Sequence, residues 1–326
     1  MSGLPIALLA AFLCFVMGFA IRRGTVCVVA ATEDLVLRGR REKFIAYATA
    51  ACWSGLVLVP LAWGAGGIFH LSPGYHQLGQ AFLFGGLFAL GAWANQACGL
   101  GTLAHLTGGR VGFLLTLVGW IAGAVLVSEI YTPRHRPYPS PLEDYRLLAI
   151  ASWLFFSAIC WWSRSRLRLL GYRARWRNIL FGGARMRPFE AMLLIGIGGG
   201  LLYASAGNWT YMGLLSAYAS QVVARDFTAS SPLPALLGAA MMVLGGVTAA
   251  VRSGGFRLRL PASGEALRHL AGGTLMGASV QLVPGGNGVI IVYGIPSLAP
   301  HAIVAYLGMI GTLAIVFVLS KYSRRA

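Results

Sequence analysis

Chemistry has few places to reside in this chain: five cysteines, two adjacent arginines in an apolar region, and four glycine-rich interruptions of hydrophobic sequence. The interruptions are Gly18–Cys27 (GFAIRRGTVC), Asn95–Thr102 (NQACGLGT), Ala206–Thr210 (AGNWT) and Pro284–Gly288 (PGGNG). Glycine ends a helix and lets backbone N–H groups approach a ligand closely. A half helix that starts at such a break presents partial positive charge, which suits an anion. Arg22 and Arg23 lie between two apolar stretches, and no acidic residue is close to them in sequence before Glu33. A charge placed there has to face water, a partner or a ligand. The pattern favours an anion path over a cation path. Its candidate residues are Arg22, Arg23, Gly24, Cys27, Asn95, Cys98, Gly99, Gly101, Asn208, Gly285, Gly286 and Asn287.

Each of these residues also has a plainer reading. Glycine pairs serve as contacts between membrane helices, and Arg22 and Arg23 can snorkel to an interface as anchors. Cys14, Cys52 and Cys160 sit inside apolar runs and read as small packing residues. Cys27 and Cys98 stand apart because both sit at glycine breaks beside polar or cationic neighbours. The cysteines have neither CxxC pairing nor metal-ligand spacing with the six histidines, so no metal or cofactor is expected. There is no HExxH, no GxSxG elbow and no P-loop, and the expectation is a protein that is not an enzyme.

The elements that must position these residues are membrane helices. Hydrophobic residues make up 57% of the 326 positions, charged residues 11%, and the mean hydropathy is +0.71. That is too little charge to cover a soluble domain of this size. Apolar segments at 4–20, 44–63, 79–97, 110–128, 147–162, 190–206, 233–251, 269–283 and 300–320 have lengths suited to crossing a bilayer. Shorter pieces at 24–37, 208–224 and 288–299 read as re-entrant or half-helix elements. The first segment has no basic region before it and no cleavage site after it, so it reads as a retained helix. The predicted class is all-α: a polytopic membrane protein of spanning helices and half helices.

A net charge of +17 could suggest nucleic acid, but its placement argues otherwise. Arginines crowd residues 164–187, with further clusters at Arg38–Lys43, Arg252–Arg268 and Lys321–Arg325. Basic clusters beside spans mark cytoplasmic loops. With all four on that side of a cell inner (plasma) membrane, the N-terminus lies outside and the C-terminus in the cytoplasm. Glu33 and Asp34, at the edge of a half helix, read as interfacial groups.

Directed in this way, the spans carry a faint internal likeness. Gly85–Ala92 (GGLFALGA) is echoed by Gly272–Ala278 (GGTLMGA), and each runs on to a glycine-rich break. The two stretches cross in opposite directions, the arrangement of inverted repeats whose broken elements meet and form a site. This divides the chain into a first repeat with an extra linking span (1–163), an Arg-rich cytoplasmic loop (164–189) and a second repeat (190–326).

At these residues the chain resembles the YeeE/YedE family of sulfur transporters. The likeness is carried by GFAIRRGTVC at 18–27, GLFALGAWANQACGLGTLAHLTGG at 86–109 and GGTLMGASVQLVPGGNGVIIVYGIPSLAPHAIVAYLGM at 272–309. It implies an hourglass-shaped, inverted-repeat permease for thiosulfate, with a narrow cationic constriction at which cysteines relay the substrate through weak S–H···S contacts. Cys27 and Cys98 match the first two family cysteines, whereas Gly286 or Asn287 stands in place of the third. An Asn287 amide would suit an oxyanion, so sulfite, sulfate or a similar oxoanion is the alternative substrate. Two further functions compatible with the same residues are a membrane-embedded sulfur-handling enzyme and a docking subunit. The implied partners are the small anion, the lipid bilayer and a cytoplasmic sulfur-accepting protein.

Overall fold

A computed structural model describes residues 3–64, 69–131, 136–167, 173–206, 211–224, 233–283 and 285–323. The chain is helical almost throughout, because a backbone in hydrocarbon must satisfy its own hydrogen bonds. Helix α1 (Gly3–Gly24) is followed, after a short break, by α2 (Val28–Arg38) and then by α3 (Glu42–Gly64). A second broken pair, α4 (Leu78–Asn95) and α5 (Gly99–Leu106), precedes α6 (Phe113–Ile130). The short α7 (Pro141–Asp144), the linking span α8 (Arg146–Arg164) and α9 (Arg173–Phe181) come next. The second half runs α10 (Pro188–Ala206), α11 (Tyr211–Ala224), α12 (Leu233–Arg252) and α13 (Ser263–Leu282). It ends with α14 (Asn287–Val289), a π-helical stretch over Ile290–Gly294, and α15 (Pro300–Ser323).

Among the described residues, eight helical segments are long and apolar enough to cross a membrane, and α13 with its bent continuation makes a ninth candidate. The protein is a polytopic all-α membrane protein. The short pieces at 24–37, 208–224 and 288–299 correspond to α2, α11 and the α14/π stretch. The Arg-rich segment differs from a plain loop, since it contains the nine-residue α9.

Helix partners repeat between the halves. Helix α1 packs on α12 as α10 packs on α3, and α6 packs on α13 as α15 packs on α4. Likewise α11 lies on α6 as α2 lies on α15, while α1 meets α10 and α4 meets α13. Glycines set the distances. A Cβ on Gly119 or Gly123 of α6 would stand 2.2 or 2.0 Å from the Leu270 or Thr274 carbonyl oxygen of α13. One on Gly273 or Gly277 of α13 would stand 2.3 or 2.1 Å from the Thr116 or Trp120 carbonyl. Residue numbers rise together across this interface, so α6 and α13 run parallel. Across α4 and α13 they run oppositely: Gly91 faces Leu275 and Met276, whereas Gly272 faces Asn95. The two stretches with the internal likeness are therefore antiparallel neighbours.

Basic loops are stitched together on one face. Residues 108–111 and 257–259 exchange backbone hydrogen bonds, from Arg257 N to Gly108 O (3.0 Å), Arg259 N to Gly109 O (2.9 Å) and Val111 N to Arg259 O (3.2 Å). Arg252 donates to the Leu180 carbonyl at 3.3 Å. Asp34 is buried and paired with Arg38 and, at 2.7 Å, with Lys43. On the opposite face β1 (Gly74–Tyr75) pairs antiparallel with β2 (Pro137–Tyr138), joining the two loops outside the spans. Ser297 ties this ribbon down, accepting from Ser72 N at 2.9 Å and from Ser140 Oγ, through its carbonyl, at 2.7 Å.

Replacing Gly277 with Val is expected to lower the thermal unfolding midpoint in detergent clearly, because the added side chain meets the Trp120 backbone. Overpacking of this kind costs about 1–3 kcal/mol. Gly79→Val, with nothing within 4 Å of its Cβ position, serves as the control and leaves the midpoint unchanged.

Candidate functional site

Three described helix breaks share one local design. Thr25 (φ 46°), Gln96 (φ 60°) and Gly285 (φ 101°) each adopt the left-handed conformation two residues before Cys27, Cys98 and Asn287. At the first two breaks the left-handed residue directly follows the incoming helix, whereas α13 ends at the extended Val283, two residues before Gly285; the next helix begins two or three residues after each left-handed residue. Cys27 caps the N-terminus of α2 and Cys98 that of α5, while Asn287 is the first residue of α14. Counted from the left-handed residue, Asn287 occupies the position of the two cysteines; counted by the helix cap, Gly286 does, since it caps α14. Thr25 and Gln96 hold a conformation uncommon outside glycine, the kind of backbone strain that collects at functional sites.

Tertiary packing brings the three breaks together. Cys27 Sγ lies 3.4 Å from Cys98 Sγ, and the Cys98 N–H points to Cys27 Sγ at 3.4 Å. The thiols touch without being joined, and both are free. The N–H groups of Val28 and Gly101 and the Asn287 side chain turn toward the Cys98 sulfur. Asn287 Nδ2 also donates to Tyr47 Oη at 2.8 Å, and the Tyr211 hydroxyl donates to the Gly99 carbonyl. Cys98, Asn287 and Tyr47 are almost wholly buried. Amide donors from two half-helix starts thus converge on two soft, polarizable sulfurs.

Glycines make room for this arrangement. A Cβ on Gly101 would stand 2.9 Å from Cys27 Sγ, and one on Gly99 would touch Asn287 Oδ1 at 3.6 Å. Gly24 has a different task, since its Cβ would strike Ala191 Cβ at 2.3 Å where α1 crosses α10. A cavity of about 40 Å³ lies beside Gly99 and Asn287, with Met17, Met212, Met242, Trp120 and Tyr211 also in its wall. Its lining is mostly soft and apolar.

Other expected residues lie elsewhere. Arg22 donates to the Ala104 carbonyl (3.1 Å), toward the end of α5 away from Cys98, and to the Gly255 carbonyl (2.9 Å). Arg23 is buried and donates to the carbonyls of Ala184 (3.2 Å) and Gly182 (2.6 Å). Asn95 sits behind the site as a brace. Its amide donates to the Ala97 carbonyl (2.8 Å) and Thr102 Oγ1 (3.1 Å), and its oxygen accepts from Thr116 Oγ1 (2.7 Å) and pairs with His269 Nδ1 (2.8 Å). Asn208 lies outside the described residues. Cys14, Cys52 and Cys160 are buried among core side chains.

Tyr47 and Tyr211 were not singled out by sequence. Tyr47 stands in an unbroken apolar run, which gives no signal for a polar role. Tyr211 follows the third glycine break directly, and that position at a half-helix start could have marked it.

The touching thiols yield a direct expectation. With Cys14, Cys52 and Cys160 replaced by Ala, mild oxidation should convert Cys27 and Cys98 to a disulfide. Intact-mass measurement would show a species lighter by two hydrogens that no longer reacts with a thiol label after unfolding. Unchanged labelling would contradict the 3.4 Å contact.

A family model described as sulphur transport matches residues 23–315, which takes in all three described breaks. No curated protein matches the chain.

Proposed function

Since the chain belongs to the YeeE/YedE family of sulphur-transport membrane proteins, we propose that it is a permease for thiosulfate or a closely related small sulfur anion, passed where the broken helices converge. The observation that carries this reading is the 3.4 Å contact between Cys27 and Cys98 at the starts of two half helices. A thiol is a weak donor and a soft partner, so it can solvate a terminal sulfur without holding it. The N–H groups beside Cys98 and the Asn287 amide suit the oxyanion end, as helix N-termini generally do. Passage in this reading exchanges the Cys27–Cys98 contact for contacts from each thiol to the substrate.

The basic face is cytoplasmic in this reading, which puts the N-terminus outside and the C-terminus inside an inner membrane. Residues 1–163 and 190–326 form the two inverted repeats, joined by the Arg-rich segment 164–189. Arg22 and Arg23 then act on the path by fixing the loops at its cytoplasmic mouth and by lending positive potential there. A cytoplasmic sulfur-accepting protein would collect the species on that face.

A second substrate reading rests on Asn287. It stands two residues after the left-handed Gly285, as each cysteine follows its left-handed residue, and its amide carries two N–H donors where a thiol would offer a soft sulfur. This favours an oxoanion such as sulfite or sulfate over thiosulfate.

Uptake of radiolabelled thiosulfate, sulfite and sulfate into proteoliposomes separates these readings. Cys98→Ala should lower uptake of the preferred anion by about tenfold or more, the worth of one hydrogen bond to a charged partner. Its unfolding midpoint should stay near that of the parent. Uptake no faster than in protein-free vesicles for all three anions would refute both readings. Asn287→Cys should raise the ratio of thiosulfate to sulfate uptake, and an unchanged ratio would remove Asn287 as the determinant.

A further inference from the structure

A second pocket opens on the basic face, away from the sulfurs, where α4 ends and α6 and α13 begin. It has a volume of about 40 Å³, and its wall includes Arg110, Arg259, Leu260, Glu265, Arg268 and His269, three guanidiniums against one carboxylate. By a measure in which one water needs about 10–15 Å³, this is room for an oxoanion-sized group. Its charges do not balance. Arg110 and Arg259 are paired directly across a parallel backbone bridge, an arrangement that like charges disfavour. Glu265 is engaged with Arg259 (2.8 Å) and with the Ala262 N–H (3.4 Å). Arg110 and Arg268 have no carboxylate partner among the described residues.

The surface beside the pocket is apolar and exposed. Leu260 on the loop (77%) and Leu267 in the first turns of α13 (68%) are almost open. A group of guanidiniums at the ends of two membrane helices, followed inward by aliphatic side chains, matches a headgroup phosphate with acyl chains below it. A soluble anion would use the first part of this surface and leave the second without a role.

We propose that this pocket is a binding site for an anionic phospholipid, with its phosphate held by Arg110, Arg259 and Arg268 and its acyl chains along Leu260 and Leu267. The inner wall of the pocket is His269, which pairs with Asn95, which in turn holds the Ala97 carbonyl beside Cys98. The headgroup therefore sits two hydrogen bonds from the sulfur break.

Native mass spectrometry of the purified protein, exchanged into equal amounts of phosphatidylglycerol and phosphatidylcholine, tests the site. The wild type should retain phosphatidylglycerol preferentially, and the double variant Arg110→Gln/Arg268→Gln should lose about tenfold or more of that preference. Arg268→Lys, which keeps the charge, should preserve most of it. Arg40→Gln/Arg41→Gln, on the same face outside the pocket, should preserve all of it. Equal retention by the Arg110/Arg268 variant and the wild type would overturn the proposal, as would an equal loss in the Arg40/Arg41 control. Stripping of the lipid from the wild type by low millimolar sulfate would also overturn it, in favour of a soluble oxoanion.

Discussion

A backbone group left without a partner in a bilayer interior costs several kcal/mol, and this chain interrupts its helices inside the protein at every described break. The rest of the architecture follows from supplying those partners from elsewhere. Asn95 covers the Ala97 carbonyl at the α4/α5 break, and Tyr211 reaches from α11 to Gly99 at the start of α5. Ser54 of α3 covers Val292 in the π-helical stretch, and the Cys98 N–H is met by the Cys27 sulfur from α2. The α4/α5 break thus draws on its own helix, on the Cys27 break and on α11, and the π-helical stretch draws on α3.

Such mutual completion requires close helices, and the glycines make them close. Interfaces α6/α13 and α4/α15 bring backbone within reach of backbone, so a Cβ at the contact would overlap a carbonyl. The same spacing recurs in both halves, and it places the breaks opposite one another rather than staggered along the bundle. Small residues here serve position more than flexibility. Their uniform use also hides the difference between a packing glycine such as Gly24 and a site glycine such as Gly101 until the neighbours are known.

Positive charge is divided between two tasks. Arg22 and Arg23 end α1 and clasp carbonyls on α5 and on two loop segments, so their guanidinium groups act as fasteners of the basic face. Arg110 and Arg268 face a pocket and are in no ion pair among the described residues, since the Glu265 carboxylate there is engaged with Arg259. An arginine whose donors are filled by carbonyls keeps its charge and its long-range potential but cannot also grip a ligand tightly. Sequence alone shows the charge in both cases and conceals which donors are already used.

Hydropathy, basic-loop placement and glycine breaks determined the all-α membrane class, the spans and the existence of half helices, because each rests on local composition and the length of a bilayer crossing. The breaks at Cys27 and Cys98 were legible for the same reason, and so was the antiparallel likeness of α4 and α13. Composition could not tell that Asn95 would brace the site from behind or that Tyr47 and Tyr211 would enter it. Those facts depend on which side chains meet across 71 to 240 positions of sequence. Only tertiary packing sets these distances, and it does so through close contacts between helix backbones that no single segment encodes.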